Sequence, residues 1–257
     1  MNILILGDIV SLCGCEKVRQ SVPAFKRLKK IDLCLANGEN SAKGNGITPE
    51  SARFLFSSGI DFITTGNHAF RRPEAAELFE ENDFVIRPYN YPPGAPGRGT
   101  GEIDLGRLSV GVVNLSGTMF MESLENPFYA AERALEEIKN CKIKLVDFHA
   151  EATSEKLALA YYLDGRVSAV FGTHTHVQTS DDRVLENGTG YITDLGMCGP
   201  INSVLGVKKE IVIQKFRTNL PVRFDVDESA PCEINGCIFT IDEKSGKCTG
   251  TERVSFR

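Results

Sequence analysis

The four histidines of the chain share one setting, because each comes just after a short apolar run that is typical of a β-strand. They are His68, His149, His174 and His176. In open α/β sheets, binding sites form beyond the carboxyl ends of the strands. We therefore expect the four imidazoles to meet at one edge of a sheet, where they could bind metal ions or transfer protons.

Carboxylate and amide side chains occupy similar positions at other strand ends. Asp8 follows the first apolar run of the chain, and Glu39 and Asn40 follow the second. Asn67 immediately precedes His68. A mixed set of oxygen and nitrogen ligands suits iron, manganese or zinc better than calcium or magnesium. The pattern therefore indicates a transition-metal site.

Each of these residues also has an ordinary structural interpretation when it is taken alone. Asp8 could cap a helix, Gly-Glu-Asn and Gly-Asn-His are common in turns, and His149 could be a hydrogen-bonded core histidine. The Gly-Thr-His-Thr-His segment at 172–176 is more specific, because imidazoles at i and i+2 can bind one metal ion or two neighbouring ones. Together, in this order, the motifs make coincidence unlikely and predict a metal centre on loops that carry Asp8, Glu39, Asn67, His149, His174 and His176.

The first two-thirds of the chain alternates strand-like runs with helical patterns. Helices are predicted after the caps Thr48 and Asn126 and over residues 153–163. A helix near residues 16–30 contains Pro23, which predicts a kink or a break. The predicted strands cover residues 2–6, 31–36, 61–65, 110–115, 143–148 and 167–171.

The pattern becomes mostly β from about residue 183 onward. This order favours an α/β fold in which two packed sheets are flanked by helices, within one domain that spans residues 1–257. The strands predicted in this part cover residues 184–185, 189–193, 210–216, 234–242 and 249–255.

Composition excludes some classes of function. The chain has 257 residues and a formal net charge of -5, which argues against a duplex nucleic-acid binder but not against a small nucleotide ligand. Neither a membrane-spanning segment nor a secretory signal is expected. The eight cysteines match neither a zinc knuckle nor a disulfide framework, so free thiols in the cytoplasm are predicted. Metal binding or pairing by Cys13, Cys15 and the three C-terminal cysteines is the alternative.

The order of the motifs resembles the calcineurin-like metallophosphoesterases, in which Asp-x-His, Gly-Asp, Gly-Asn-His, His and Gly-His-x-His follow one another. Two positions depart from that pattern, because Val10 stands in place of the first histidine and Glu39 in place of the usual bridging Asp. Both departures resemble a narrower group, the YmdB-like phosphodiesterases. That resemblance covers essentially the whole chain, and segments 147–156 and 172–179 are its most specific parts. It implies two mixed sheets flanked by helices in four αββα layers.

The resemblance also implies how the ligands are shared. One metal ion would be held by Asp8, Glu39 and His176. The second would be held by Glu39, Asn40, Asn67, His149 and His174. Because Val10 cannot bind a metal, the first ion has one protein ligand fewer than in the wider superfamily, and we expect it to be more open to water and bound more weakly. The family implies iron or manganese, and the ligand set also admits zinc.

The implied activity is hydrolysis of small phosphodiesters, with 2′,3′-cyclic nucleotides as the substrate class, through attack by a metal-activated hydroxide. His68 suits the general acid that protonates the leaving oxygen, and its alternative role is to orient Asn67. A phosphomonoesterase such as a nucleotidase and a metal- or nucleotide-sensing regulator are the competing functions. No membrane partner is expected, and a homo-oligomer is compatible with the sequence.

Four further charged residues have two interpretations each. Asp147 and Glu151 flank His149 and could fix imidazole tautomers, or they could cap a strand and a helix. Arg87 and Arg98 border a segment rich in Pro and Gly and could contact a phosphate or a base, or they could be solvated at the surface.

Overall fold

The structure, a computed structural model, describes residues 1–228 and 231–257. Within these ranges the chain forms twelve β-strands. They are, in chain order, β1 (Asn2–Ile9), β2 (Leu33–Asn37), β3 (Phe62–Thr64), β4 (Thr100–Asp104), β5 (Ser109–Ser116), β6 (Ile143–His149), β7 (Ala169–Thr173), β8 (Arg183–Val184), β9 (Gly190–Ile192), β10 (Met197–Pro200), β11 (Cys232–Ile241) and β12 (Cys248–Phe256).

Six α-helices connect or follow these strands in the described residues. Most of them lie between strands that run parallel, as expected for crossover connections. They are α1 (Ser11–Lys29), α2 (Pro49–Ser57), α3 (Ala75–Glu81), α4 (Pro127–Glu137), α5 (Thr153–Leu163) and α6 (Lys209–Thr218).

The strands form two six-stranded mixed sheets. The first has the order β12-β11-β10-β1-β2-β3, and the second has the order β4-β5-β6-β7-β9-β8. In the first sheet β1, β2 and β3 run parallel, while β11 runs antiparallel to β1. In the second sheet β5, β6, β7 and β9 run parallel, and the edge strands β4 and β8 are antiparallel. Parallel strands bring their carboxyl ends to one edge of each sheet.

The side chains of β1 show how the layers are built. Ile3 and Ile5 pack in the core between the two sheets together with Phe171 of β7. Leu4 and Leu6 alternate with them and pack on the opposite face, in a second core with residues of α1, α2 and α3. A third core joins α4 and α5 to the outer face of the second sheet. The four-layer αββα arrangement predicted from the sequence is confirmed.

Local capping explains where two of the predicted helices begin. The Thr48 hydroxyl accepts a hydrogen bond from the Ser51 amide in a capping box, and Pro49 occupies the first turn of α2. The Asn126 side chain accepts the Phe128 amide at the start of α4. Helix α5 has the predicted bounds.

The break predicted at Pro23 does not occur, because α1 continues through this residue from Ser11 to Lys29. The buried residues Val18 and Val22 hold this face of α1 in the core of the first sheet. That packing offsets the backbone hydrogen bond that proline cannot donate.

The strand predicted over residues 210–216 is wrong, because this segment lies in helix α6. Its Ile, Val and Phe residues favour a strand, yet Val212 is its one buried residue, and Ile213 and Phe216 are exposed. The segment pairs with neither sheet, so no neighbouring strand is present to bond its backbone. A helix satisfies most of these backbone hydrogen bonds within the segment itself. The other four strands predicted after residue 183 correspond to β8, β9, β11 and β12.

Two expectations from composition can be compared with the structure. Among the described residues, no helix is both long enough and apolar enough to cross a membrane. The cysteines of the described ranges form no disulfide bond. All six strands predicted in the first part of the chain overlap observed strands, namely β1, β2, β3, β5, β6 and β7.

Candidate metal centre

The structure brings all eight predicted site residues together. Asp8 lies near the end of β1 and His149 at the end of β6, and the others lie on the loops that follow β2, β3 and β7. Each of the eight contacts at least one other member through a side-chain or backbone polar atom. The eight residues are Asp8, Glu39, Asn40, Asn67, His68, His149, His174 and His176.

One side of the cluster converges on the Nε2 atom of His149. Asn67 Oδ1 lies 2.9 Å from it, His174 Nδ1 3.1 Å and Glu39 Oε1 3.2 Å. Within the described residues, Glu39, His149 and His174 form the one group of potential ligands whose donor atoms all lie within 4.8 Å of one another. Carboxylate oxygen and imidazole nitrogen atoms facing one point fit a transition-metal ion.

The other side is formed by Asp8 and His176. Asp8 Oδ1 lies 3.6 Å from His176 Nε2, and Asp8 Oδ2 accepts a hydrogen bond from the His174 amide at 3.1 Å. Asn40 Nδ2 lies 3.4 Å from the same His176 nitrogen. Asp8 Oδ1 is buried and has no hydrogen-bond partner among the described residues. Such an atom is costly to bury, and a cation beside it would offset that cost.

His149 is held in one orientation by a chain of hydrogen bonds. Thr173 Oγ1 lies 2.9 Å from His149 Nδ1 and donates to Asp147 Oδ1 at 2.8 Å. The hydroxyl therefore accepts from Nδ1–H, and Nε2 is the ring nitrogen that would bind a metal ion. Asp147 thus acts on His149 through Thr173 rather than as a strand cap. Gly66 leaves room for the ring, since a Cβ atom there would lie 2.2 Å from His149 Cδ2.

The loop that carries His174 and His176 is strained. The φ angles of these residues are 102° and 66°, in the left-handed region that non-glycine residues rarely adopt. Each such residue costs about 1–3 kcal/mol and persists only where the surroundings hold it. Contacts with the surrounding residues must therefore hold this loop in its strained conformation.

A buried ion pair beneath the loop supplies that support. Lys156 Nζ lies 2.7 Å from Asp194 Oδ2, and both side chains are almost completely buried. Lys156 also donates to the Thr173 carbonyl at 2.9 Å, and Asp194 accepts from the Thr175 amide at 3.1 Å. The sequence assigned no role to this pair. Both residues lie in segments that carry the family resemblance, but their contact is visible only in the tertiary structure.

The carboxylates of the cluster are in the state that suits metal ligands, whereas the raised pKa of His176 means that a metal ion must displace its proton. Burial raises the pKa of Asp8, but the proximity and positive charge of His176 outweigh burial, so the pKa lies below its usual value. Burial also raises the pKa of Glu39, but the charge of His149 outweighs burial and brings this pKa well below its usual value. Burial and the charge of His149 lower the pKa of His174 to about 4. The pKa of His176, which burial lowers, is raised to about 9 by Asp8. Both carboxylates are therefore ionised at neutral pH, as metal binding requires.

His68 lies at the rim of the cluster. Its amide donates to Glu39 Oε2 at 2.9 Å, and its Nδ1 lies 2.9 Å from Asn40 Oδ1 and 3.3 Å from Glu39 Oε1. About a quarter of the side chain, 26%, is exposed. No described residue forms a hydrogen bond with its Nε2 atom. One ring nitrogen is thus fixed by the ligands, and the other is available to a molecule entering the site.

Val10 occupies an apolar setting beside Asp8. It is buried in a small cluster with Met197 and Val226. A Cβ atom on Gly206 would lie 2.8 Å from Val10 Cγ1, so the loop packs closely against it. The Asp8 side therefore has hydrocarbon where the wider superfamily has an imidazole.

Arg87 and Arg98 differ in how far their side chains are exposed to solvent. Arg87 is buried and donates to the carbonyls of Pro88, Ala95 and Gly97, so it organises the segment rich in Pro and Gly, and the surface interpretation is wrong. Arg98 is exposed and forms an ion pair with Asp83 at 2.8 Å.

Glu151 lies beside the His174 ring. Its Oε2 atom is 3.2 Å from His174 Nε2, and half of the Glu151 side chain, 50%, is exposed. A proton on Nε2 would point at this carboxylate and leave the lone pair of Nδ1 facing His149. Glu151 is therefore placed to orient His174, which is the first of the two interpretations that the sequence left open.

Comparison with known proteins decides the family. The family model described as YmdB-like protein matches residues 4–254. The chain belongs to the YmdB-like family. A 2′,3′-cyclic-nucleotide 2′-phosphodiesterase from Bacillus subtilis (strain 168) is 43% identical over 255 residues, which cover 99% of this chain and 96% of the relative.

Two solved structures resemble this YmdB-like chain closely. A hypothetical protein from Thermus thermophilus has a TM-score of 0.94 at 39% identity, covering 100% of this chain and 99% of that one. A protein described as a novel phosphatase, from Mycoplasma pneumoniae, has a TM-score of 0.93 at 31% identity, covering 100% and 93%. The predicted family and fold are confirmed, and so is an enzyme of the phosphoric diester hydrolase class.

Proposed function

We propose that this YmdB-like protein is a dinuclear-metal phosphodiesterase that hydrolyses small phosphodiesters, with 2′,3′-cyclic nucleotides as its substrate class. The observation that carries the proposal is the buried convergence of Asp8, Glu39 and three imidazoles, in which Asp8 Oδ1 has no hydrogen-bond partner among the described residues. The name of the Bacillus subtilis relative supports the substrate class.

The ligands divide around Glu39. Its carboxylate lies 3.2 Å from His149 on one side and acts electrostatically on Asp8 on the other, which suits a bridging ligand. When bound, the two ions would supply positive charge that stabilises phosphate oxygens and would lower the pKa of a water molecule. Asp8, Glu39 and His176 would hold one ion. The other would be held by Glu39, Asn40, Asn67, His149 and His174.

His68 is the proposed general acid. Its Nδ1–H is held by Asn40 Oδ1 and Glu39 Oε1, so a protonated ring directs Nε2–H away from the ligands. Cleavage of a phosphorus–oxygen bond leaves an alkoxide, and a ribose alkoxide is a poor leaving group without a proton. Nε2–H of His68 would donate that proton to the departing oxygen.

Substrate comparison tests the proposed activity. The metal-loaded enzyme should hydrolyse 2′,3′-cAMP faster than AMP and faster than p-nitrophenyl phosphate. Faster cleavage of the monoesters would contradict the diesterase and favour a nucleotidase. Measurable nucleotide affinity without turnover in iron, manganese, zinc or cobalt would instead favour a sensing regulator.

His68→Ala tests the acid with two leaving groups. Turnover of 2′,3′-cAMP should fall by about 10²–10⁴-fold, the usual contribution of general acid–base catalysis. Hydrolysis of bis-p-nitrophenyl phosphate should fall much less, because p-nitrophenolate leaves readily without a proton. Equal losses on both substrates, or loss of bound metal, would mean that His68 only positions Asn67.

The identity of the metal, the location in the cell and the domain organisation are also part of this proposal. We expect iron or manganese, with zinc as the alternative, and elemental analysis of protein purified without an affinity metal column distinguishes them. Cysteines without disulfide bonds suit the reducing cytoplasm. The two sheets share one core between them, which supports a single domain over residues 1–257.

A further inference from the structure

A second polar cavity lies away from the metal centre. It has a volume of about 340 Å³ and is lined by three segments, within residues 139–144, 165–168 and 245–247. No carboxylate is among its described lining residues. We call it the lysine cavity, after its five cationic lining residues Lys139, Lys142, Lys144, Arg166 and Lys247.

Two of the five cations are neutralised by neighbouring glutamates. Lys139 Nζ lies 2.6 Å from Glu136 Oε1, and Arg166 pairs with Glu132 at 2.7 Å. The other three lysines of the cavity form no ion pair with any described residue. Three like charges around one cavity repel one another, and this occurs in a chain whose net charge is -5. A bound anion would remove that repulsion.

The base of the cavity is built by a buried hydrogen-bond network. The Ser168 hydroxyl accepts from the Lys144 amide at 3.1 Å and donates to the Gly246 carbonyl at 2.5 Å. The Ser168 amide donates to the Lys144 carbonyl at 2.8 Å. This one residue therefore joins all three segments. Gly246 adopts a φ of 77°, and a Cβ atom there would lie 2.5 Å from the Lys142 carbonyl oxygen.

The nearest acids of the β11–β12 turn are engaged elsewhere. Asp242 accepts hydrogen bonds from the amide and hydroxyl of Ser245, within its own turn. Glu243 forms an ion pair with Arg107 at 2.9 Å. Neither carboxylate neutralises the free lysines of the cavity.

The lysine cavity and the metal centre lie at opposite edges of the second sheet. The cavity is at the amino ends of β6 and β7, and the metal centre is at their carboxyl ends. Strand β6 runs over seven residues, Ile143–His149, which corresponds to about 20 Å at a rise of about 3.3 Å per residue. A ligand in the lysine cavity would therefore not contact the metal ligands.

We propose that the lysine cavity binds a small anion that carries two or more phosphate groups, such as inorganic tripolyphosphate or the phosphate chain of a nucleotide. Lysine ammonium groups bind phosphate as point charges, and one phosphate does not offset three of them. The three unpaired lysines line one pocket of about 340 Å³, a size that suits a small ligand better than a nucleic-acid strand.

Isothermal titration with inorganic tripolyphosphate tests this site. The triple variant Lys142→Gln/Lys144→Gln/Lys247→Gln should bind tripolyphosphate at least about ten-fold more weakly than the wild type, because all three unpaired charges are lost. The matched control Lys30→Gln/Lys209→Gln/Lys215→Gln loses the same net charge outside the cavity and should bind as the wild type does. Circular dichroism establishes that both variants are folded.

Three outcomes would overturn the proposal. They are absence of tripolyphosphate binding, equal weakening in the two triple variants, and loss of binding when metal ions are stripped with a chelator. The last would mean that the anion binds at the metal centre. ATP that binds as tripolyphosphate does supports the phosphate chain as the recognised group. A single-stranded oligonucleotide with a 5′-hydroxyl that binds more tightly would contradict the small-anion class.

Discussion

The two sides of the candidate metal centre differ in how firmly their residues are held. On one side, His149 is completely buried, with Nδ1 fixed by Thr173 and its ring against Gly66. On the other, His176 is held through Nδ1 by the Leu205 carbonyl at 3.1 Å, and 15% of its side chain is exposed. Preorganised ligands lose less freedom on binding, so we expect the His149 side to bind its ion more tightly.

The largest expected effect comes from removing the support that both sides share. Lys156→Met would leave the buried Asp194 carboxylate without its cation, and breaking such a pair costs about 3–5 kcal/mol of unfolding free energy. Metal binding on both sides should weaken, since the strained loop carries a ligand of each. Urea denaturation and metal titration measure the two effects.

Lys139→Met provides the matched control for that variant. The Lys139–Glu136 pair is exposed, so water screens it and its loss should change the free energy of unfolding little. A loss of similar size in both variants would mean that the buried pair does not support the loop.

Thr173→Val should affect the His149 side alone. The substitution keeps the shape of the side chain but removes the hydroxyl that joins Asp147 to His149. Loss of such an outer contact typically lowers metal affinity by about 10–100-fold. Metal titration should show one weakened site. The control is Thr175→Val, two residues along the same loop, and equal weakening in both variants would contradict the role of Thr173.

Val10→His should make the two sides more alike. It places an imidazole next to Asp8, and we expect the weaker metal site to tighten by about ten-fold, which corresponds to about 1.4 kcal/mol. The apolar cluster with Met197 and Val226 would lose packing, so the free energy of unfolding should fall. Val10→Ala also loses packing but adds no ligand, so tightening in this control would refute the explanation.

Glu151→Gln is expected to have the smallest effect. The carboxylate lies 3.2 Å from His174 Nε2 but is half exposed, and solvent weakens such contacts. The metal affinity of the His149 side should change by less than about three-fold. A loss as large as that in Thr173→Val would mean that Glu151 fixes His174 as firmly as Thr173 fixes His149.

Much of the site could be predicted because its residues follow strands directly. Asp8 lies near the end of β1, and His149 ends β6. Parallel strands bring such positions to one edge of a sheet. The αββα layers were predictable for a related reason, since apolar alternation such as that of Leu4 and Ile5 assigns each face of a strand to a core.

The sequence by itself thus determined which residues reach the candidate metal centre and at which strand ends they lie. The tertiary structure alone decided how they are held, through the Lys156–Asp194 pair and the link from Asp147 through Thr173. It also decided that residues 210–216 form a helix. Local sequence patterns indicate which face of a strand is buried and where a turn lies. The features that the sequence did not reveal depend on contacts between residues far apart in the chain, and these contacts exist only after the layers have packed.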